Sequence, residues 1–574
     1  KNLMNDSRIS EIICATDADR EGENIFRYVC NMAKCKKPVN RLWVSSLEES
    51  AVRQALNQMK PSSDYDNLFQ AGFCRARADW LVGMNGSRLF SCRYRGNLSI
   101  GRVQTPTLAM IVQRDHDVEN FVKQKYFTAD LVYDDIIFSS EKIEDEESAD
   151  KIISECTGKA VVIKSVNREM KIVNAPKLYD LTTLQREANK AYGYTAQQTL
   201  DCIQSLYEAK LVTYPRTDSQ YITSDMEQTA LDMVNISARI YSVKLAHTPD
   251  ICRCINNSKV TGHHAIIPTV GISTADISAL PTGEKNILKM IAMKLICASA
   301  PPYKYESVRI TAECGGNLFT ATGKLILENG WKIYEKSDEK DFLFPDFAEG
   351  QTFSAVSKKC EHFTSPPKLF TEDTLLSAME HAGNFDDEAE KKGLGTPATR
   401  AGVIENLVTK GYAERKGRQI FSTEKGRNLI AVIPDEIKSA KLTSDWEMKL
   451  QQIEHDTYSA NDFMNEIENF VRELCKKYGS EDENICFSDK KSESVGKCPK
   501  CGNDIICGKY GFFCKSKCGM NVAKVYGKEL TEEQLKALLD GKSISYTSNG
   551  RKTVVLPQVV QNDYNGKTYY QWAT

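Results

Sequence analysis

The sequence predicts a multidomain chain that joins α/β and all-α regions, with a β-rich domain split by a helical insertion and a cysteine-rich module near the C-terminal end. Three observations carry that expectation. At 574 residues the chain exceeds what one hydrophobic core organises, so roughly three to five domains follow. Two β-patterned stretches, 126–175 and 303–365, flank a region of helical periodicity. Two cysteine pairs in the last hundred residues have the spacing of a structural metal site.

Composition narrows the function classes. Apolar residues make up 41% and charged residues 26%, as in an ordinary globular protein. Net charge is −2, so a nucleic-acid site has to be locally basic. No apolar run approaches the roughly 18 residues of a membrane helix, and no signal peptide opens the sequence, so no membrane partner is expected. The 19 cysteines lack a small-domain disulfide pattern, which favours a reducing cytoplasm. The first residue is Lys1, and the sequence reads as a fragment or a processed product.

Residues 11–15 read as a short buried strand running into Thr16-Asp17-Ala18-Asp19-Arg20-Glu21-Gly22-Glu23, followed by a helix over 24–32. Three carboxylates at alternate positions, Asp17, Asp19 and Glu21, stand at the carboxyl end of a strand. Open α/β sheets place ligand sites there, and hard oxygen ligands suit Mg²⁺. The competing reading is a solvated acidic helix start, which the helix dipole also favours. A second strand over 41–47 and a helix over 48–59 complete an α/β region. Two strands do not make a stable parallel sheet, so this domain reads as incomplete at its N-terminal side.

Helical pattern returns over 65–85, with Arg75 and Arg77 beside Trp80, Leu81 and Val82. Arg88, Arg93, Arg95 and Arg102 then interleave with Phe90 and Tyr94, a pattern suited to a phosphate-lined groove or simply to a solvated face. The run 98–108 opens another helix. The acidic stretch 141–150 interrupts the first β region as a solvated loop or helix face. Helices over 181–191 and 195–208 lead into Leu211-Val212-Thr213-Tyr214-Pro215-Arg216-Thr217-Asp218-Ser219. Pro215 restricts Tyr214 to an extended backbone and so holds the phenol in place. Arg216 supplies a cation two residues on. A phenol is a weak nucleophile at its ordinary pKa of about 10 and needs such a neighbour. A buried tyrosine beside a surface arginine fits those nine residues as well.

Further along, His263 and His264 stand in Gly262-His263-His264-Ala265-Ile266-Ile267-Pro268-Thr269, after Cys252 and Cys254. C-x-C is not the usual zinc spacing, so a metal role there is conceivable but unsupported, and a structural histidine pair is the plainer reading. From Thr371 a helix, Gly393-Leu394-Gly395-Thr396-Pro397-Ala398-Thr399-Arg400-Ala401-Gly402, a further helix and a basic hairpin over 415–421 suggest a winged-helix arrangement. Residues 479–497 are charged, serine-rich and linker-like. Cys498 and Cys501, then Cys514 and Cys518, form C-x₂-C and C-x₃-C knuckles for a four-thiolate Zn²⁺ site. Around them Lys497, Lys500, Lys509, Lys515 and Lys517 alternate with Tyr510, Phe512 and Phe513, a pattern for single-strand stacking or for a small core. Gly541-Lys542-Ser543 has Lys536 where a P-loop needs glycine, so no ATP site follows.

Five ordered motifs, ATDADREGE, LSIGRVQTPTL, LVTYPRTDS, GHHAIIPT and GLGTPATRAG, resemble those of the type IA DNA topoisomerases, and the topoisomerase III group in particular. The resemblance implies a partial TOPRIM domain over 1–62, with Asp17, Asp19 and Glu21 as its Mg²⁺ acids. It implies a helical single-strand DNA-binding domain over 63–122 and 370–478, and a β arch over 123–180 and 301–369. A lid over 181–300 would carry Tyr214, and 498–574 would form a zinc ribbon and C-terminal DNA-binding region after the linker. Tyr214 would attack one strand to leave a 5′-phosphotyrosine, with Arg216 and His263 beside it. DNA contacts are implied at Arg75, Arg102, Gln104, Thr183, Gln185, Thr399 and Arg400. The implied partners are single-stranded DNA and underwound or catenated duplex, with a helicase as a candidate partner of a cytoplasmic, nucleoid-associated monomer. Members of the family open with a strand and a Glu-Lys-Pro-Ser-like run that supplies another acid and a lysine. Here the D-x-D motif already falls at 17–19, so that strand and those two residues are expected to be missing. The competing expectations are a non-catalytic or cleavage-only single-strand-binding remnant, and a TOPRIM nuclease or primase.

Overall fold

The structure is a computed structural model and describes residues 1–44, 49–260, 262–335, 346–382, 393–480, 494–508, 511–516, 518–525, 528–548, 551–564 and 567–574. It divides into two compact units, Lys1–Ser87 with Ile100–Lys477, and Arg88–Ser99 with Tyr478–Thr574.

The first unit begins with a small α/β layer. After α1 (Asn2–Asn5), strand β1 (Ile12–Cys14) leads through an acidic turn into α2 (Arg20–Ala33), and β2 (Val39–Arg41) returns parallel to β1. Helix α3 (Glu49–Asn57) follows, and β3 (Lys60–Pro61) adds antiparallel to β2. The strands differ from those expected. The second ends at Arg41 instead of spanning 41–47, because Leu42 N–H makes its bond to Cys14 O (2.9 Å) and the chain then leaves the sheet. Residues 45–48 of the expected strand lie outside the described residues. In β1 Cys14 is fully buried, whereas Ile13 is 43% exposed.

Helices α4 (Asp66–Arg93) and α5 (Gln104–Glu119) carry the chain to the β region. There β4 (Lys125–Tyr133), β5 (Ile136–Ser139), α6 (Glu146–Cys156) and β6 (Ala160–Val173) precede a helical excursion. The excursion holds α7 (Leu181–Tyr192), α8 (Ala196–Glu208), α9 (Glu227–Ile240) and α10 (Thr282–Ala298). The chain then returns through β7 (Tyr303–Cys314), β8 (Asn317–Glu328), β9 (Thr352–Ser354) and β10 (Val356–Phe363). One seven-stranded sheet, ordered β10-β4-β5-β8-β7-β6-β9, draws on both sides of the excursion. Alternation explains the pairing: Leu131, Phe138, Ile163, Ile310 and Phe319 all fall on one buried face.

The excursion has its own core of Ile222, Met233, Val234, Ile267 and Leu295. Beyond the sheet come α11 (Glu372–His381), α12 (Pro397–Thr409), the hairpin β11 (Ala413–Lys416) and β12 (Gln419–Ser422), and helices α13 (Glu424–Val432) and α14 (Asp435–Lys438). The last helices, α15 (Ala440–Glu454) and α16 (Ala460–Tyr478), pack Trp446, Leu450 and Phe463 against Ala71, Cys74 and Ala78 of α4. Small residues on α4 admit that close approach.

Polar contacts fasten the excursion to these helices. Buried Glu372 accepts from the first N–H of α8, Ala196 N (3.0 Å), and pairs with Arg415. Arg186 pairs with Asp373 at 2.9 Å, and Asp373 N–H donates to Asn189 Oδ1 (3.2 Å).

The second unit holds β13 (Gly496–Lys497), β14 (Asp504–Gly508) and β15 (Gly511–Cys514) in one sheet, then β16 (Lys524–Val525), β17 (Lys528–Glu529) and α17 (Glu532–Leu539). A second three-stranded sheet follows, of β18 (Ile544–Ser548), β19 (Arg551–Tyr564) and β20 (Lys567–Ala573). Ile505, Val522, Leu535, Val555 and Trp572 share a core with Cys498 and Cys514. Residues 481–493 of the expected linker are outside the described residues.

Asp180 caps α7 by accepting from Thr183 N (2.6 Å). Burial pushes its carboxyl up to about 6 from 3.8, against the pull of the Thr183 hydrogen bonds and the Arg400 charge. The folded chain therefore keeps a proton that the unfolded chain releases. Stability is greatest below the ordinary carboxylate pKa and falls as pH rises to about 6; a difference of about 2 pH units corresponds to about 3 kcal/mol. Asp180→Asn keeps a capping side chain, so thermal melts between pH 4 and pH 7 are expected to lose this slope. An unchanged slope in the variant would count against the assignment.

Candidate active site and cysteine cluster

The loop after α8 is stitched to the chain around residue 265. Leu211 and Val212 are buried, and Val212 bridges to Pro268. Thr213 N–H donates to Ile267 O (3.0 Å) and its hydroxyl to Ala265 O (3.2 Å). Thr217 Oγ1 donates to His263 O (2.8 Å). These bonds run alongside one another, so the rings of Tyr214 and His263 meet with centroids 4.1 Å apart and planes tilted by 39°. Tyr207 of α8 adds an edge contact at 5.4 Å.

Across from this pair stands the acidic turn. Tyr214 O–H donates to Asp17 Oδ2 (2.9 Å), although 197 residues separate them. His263 Nε2 lies 3.9 Å from Asp17 Oδ1 and is buried with no hydrogen-bond partner. The turn is pressed against α2: a Cβ on Gly22 would stand 2.2 Å from Asp17 O, so only glycine fits there. Asp19 caps α2 through Oδ1, accepting from Gly22 N (2.7 Å).

Electrostatics set the resting state. Burial first, then the Asp17 hydrogen bond and the Asp17 and Asp19 charges, push the Tyr214 phenol above its ordinary pKa, and Arg216 opposes them. Burial also pulls the His263 imidazole down, with Asp17, Asp19 and Asp218 working the other way. At neutral pH the pair is therefore a neutral phenol beside a neutral imidazole. Arg216 is exposed.

The other expected site residues divide. Thr399 is exposed at the start of α12, where its hydroxyl closes the capping box with Thr396. Thr183 Oγ1 accepts from Gln220, and Gln104 Oε1 accepts from Lys410. Three residues expected to contact DNA are buried in this conformation. Gln185 is fully buried and donates to Ala196 O (3.1 Å). Arg400 is buried on Thr182 Oγ1 (2.9 Å) and Leu394 O (3.2 Å). Arg102 is buried between Asp79 (2.7 Å) and Glu447 (3.2 Å). Arg75 also faces Glu447, at 3.6 Å. His264 is buried, with Nδ1 2.8 Å from Ala265 O.

Several site residues escaped the sequence reading. Glu447 gathers Arg20, Arg75 and Arg102, and nothing in its local pattern marks it. Arg41 and Glu23 form a buried ion pair beneath the acidic turn. Arg20 and Glu23 do lie within the ATDADREGE motif.

Among the described residues, one set brings three or more potential metal-ligand atoms together: the thiols of Cys498, Cys501, Cys514 and Cys518, all within 4.8 Å of one another. The Ser516 hydroxyl and Asn503 N–H draw the Cys501 thiol down to about 5, which favours the thiolate that a metal requires. This cluster is suited to Zn²⁺. Lys509, Tyr510 and Lys517 lie outside the described residues. The acids at 17, 19 and 21 are oxygen donors of the kind that Mg²⁺ takes, and the Asp19 cap uses one oxygen of its carboxylate.

The sequence matches the DNA topoisomerase family over residues 63–465 and the Toprim domain family over residues 1–47. It is 36% identical over 529 residues to the DNA topoisomerase 3 of Bacillus licheniformis, covering 86% of this chain and 72% of that protein. With the DNA topoisomerase 3 of Bacillus subtilis it shares 33% identity over 538 residues, 88% of this chain and 73% of the relative. Its fold is that of full-length topoisomerase I from Thermotoga maritima, with a TM-score of 0.67 at 22% identity over 93% of this chain and 86% of that one. Fold and site thus define a type IA topoisomerase with a Toprim domain, of mixed helix and sheet. The chain belongs to the DNA topoisomerase family, within its topoisomerase III group. Enzymes of this class are ATP-independent isomerases that break and rejoin single DNA strands.

Gly22→Ala forces the Asp17 backbone to shift and so disturbs the Asp17 contact with Tyr214. Covalent adduct on a single-stranded oligonucleotide is expected to fall at least about tenfold, since misplacement by about 1 Å costs up to about 100-fold. Filter binding should show single-strand affinity unchanged; an unaltered adduct yield would remove the turn from the mechanism.

Proposed function

We propose that Tyr214 is the nucleophile of this topoisomerase and that Asp17 takes its proton. The observation that carries the reading is the Tyr214 O–H to Asp17 hydrogen bond across the Toprim and lid segments. The phenol oxygen attacks the phosphorus of one strand, the O–P bond to Tyr214 forms, and the P–O3′ bond breaks. The proton on Asp17 passes to the leaving 3′-oxygen, so a 5′-phosphotyrosine and a 3′-hydroxyl result. Resealing is the reverse transfer, and the bond energy is conserved without ATP. Exposed Arg216 offsets the charge that gathers on the attacked phosphate, and neutral His263 holds the phenol ring and offers Nε2 to a phosphate oxygen.

Asp17, Asp19 and Glu21 would hold Mg²⁺, which when bound supplies positive charge beside the phosphate. The domain assignment goes with this reading: Toprim 1–62, a gripping helical domain of 63–122 and 370–478, an arch of 123–180 and 301–369, a lid of 181–300, and a C-terminal DNA-binding region of 498–574. Strand passage then requires the lid to leave the Toprim acids and helix α11, which parts Tyr214 from Asp17 and Ala196 from Glu372. Substrates are single-stranded, underwound or catenated DNA, with a helicase as partner, in the cytoplasm at the nucleoid. A non-catalytic remnant is disfavoured, because Tyr214 adjoins Asp17 and His263, and the charges of Arg216 and Asp19 act on its phenol.

Tyr214→Phe keeps the ring packing and removes the oxygen. Denaturing gels are expected to show no covalent DNA adduct, with single-strand affinity within about twofold of the parent; a persisting adduct refutes the assignment. Protein purified without chelator is expected to carry one zinc on the four cysteines, because a module this small draws its stability from the metal. Chelation should lower the melting temperature of the second unit and leave Tyr214 cleavage intact. Metal analysis that finds no zinc removes the site.

A further inference from the structure

Arg41 is the last residue of β2 and has no exposed surface. Its guanidinium does not serve DNA, solvent or a surface carboxylate. Nη1 donates to Thr16 O (2.7 Å), Cys14 O (3.2 Å) and, more weakly, its neighbour Leu42 O (3.3 Å), and Nη2 donates to Asp17 O. Nε approaches Glu23 Oε2 to 3.1 Å, out of line for a hydrogen bond, so that contact is an ion pair. Glu23 is itself buried and also takes Arg27 Nε at 2.7 Å. The ring of Trp43 lies 5.1 Å from the guanidinium and stacks on Tyr65 at 5.3 Å.

Three of these contacts have one common object. The carbonyls of residues 14, 16 and 17 are the backbone of the turn that presents Asp17 and Asp19. From the opposite side, Gly22 presses on Asp17 O with no room for a Cβ. The turn is thus clamped between the first turn of α2 and one planar fork at the end of the neighbouring strand. A lysine presents a single ammonium on a flexible stem and cannot grip three carbonyls while pairing with Glu23. Burying a guanidinium is costly unless its hydrogen bonds are filled, and here main-chain oxygens of the acidic turn fill them.

We propose that Arg41 is a positioning residue for the acids: it fixes the turn that aims Asp17 and Asp19 at a divalent cation and at Tyr214. The inference rests on the reading above in which those acids hold Mg²⁺. Residues that orient metal ligands from behind typically change metal affinity by about 10–100-fold when altered.

The test titrates Mg²⁺ calorimetrically into the full chain for the parent, Arg41→Lys and Asp17→Asn, with single-strand affinity and religation followed alongside. Arg41→Lys is expected to weaken Mg²⁺ binding about tenfold and to leave single-strand affinity unchanged. Excess Mg²⁺ should restore its religation, a rescue that a merely unfolded turn would not show. If Asp17→Asn loses Mg²⁺ and Arg41→Lys stays within about twofold of the parent, the positioning role is overturned while the Mg²⁺ reading stands. If neither variant changes Mg²⁺ binding, the Mg²⁺ reading fails and the inference falls with it. Should Arg41→Lys fail to fold, Glu23→Gln removes the carboxylate that aims the guanidinium. It is then expected to weaken Mg²⁺ about threefold, and an unchanged value overturns the role.

Discussion

The chemistry converges on the hydrogen bond between Tyr214 O–H and Asp17 Oδ2. It joins a loop of the helical excursion to the acidic turn at the front of the chain, and each side is built to hold its end still. On the tyrosine side, paired bonds to residues 263, 265 and 267 align the loop. On the acid side, Gly22 and Arg41 confine the turn. A phenol facing a carboxylate in a half-buried site stays protonated at rest. In the proposed role, the hydrogen bond that positions Tyr214 thus also suppresses its reactivity until a substrate phosphate changes its surroundings.

Legibility in the sequence follows the range of the physical cause. The acidic turn, the Tyr214 loop and the cysteine knuckles each set their chemistry within about ten residues, and motif spacing exposes them. The seven-stranded sheet was readable as two alternating stretches, because the period of two survives a long insertion. What escaped is long-range. Glu447 looks like any helical glutamate, yet it faces three arginines from distant segments. Arg41 looks like the start of a strand and is in fact the end of one. Burial of Gln185, Arg102 and Arg400 was likewise invisible, since a motif identifies a residue type and not the partner that occupies it.

That occupation bears on how the enzyme meets DNA. Arg102, Arg75 and Arg20 share the carboxylate of Glu447, and Arg102 also engages Asp79. Buried pairs of this kind add little net stability, because desolvation offsets most of the Coulombic gain, but breaking one partner away is costly. Arg102, fully enclosed, therefore acts as a strut that holds α4 against α15. Arg75 is less enclosed than Arg102 and has the longer contact with Glu447, 3.6 Å against 3.2 Å.

The same reasoning distinguishes the two sides of the lid. Its contacts to α11 are charged and directional: Arg186 with Asp373, and Ala196 N with Glu372. Its contacts to the acidic turn are the Tyr214 O–H bond to the Asp17 carboxylate and the approach of His263 Nε2 to the same carboxylate at 3.9 Å. On the proposed function, a phosphate entering between Tyr214 and Asp17 replaces that contact directly, whereas the contacts to α11 lie away from the phenol. On the proposed function, passage of a strand has to part Ala196 N from buried Glu372 and Arg186 from Asp373, and breaking buried, hydrogen-bonded charge of this kind is costly.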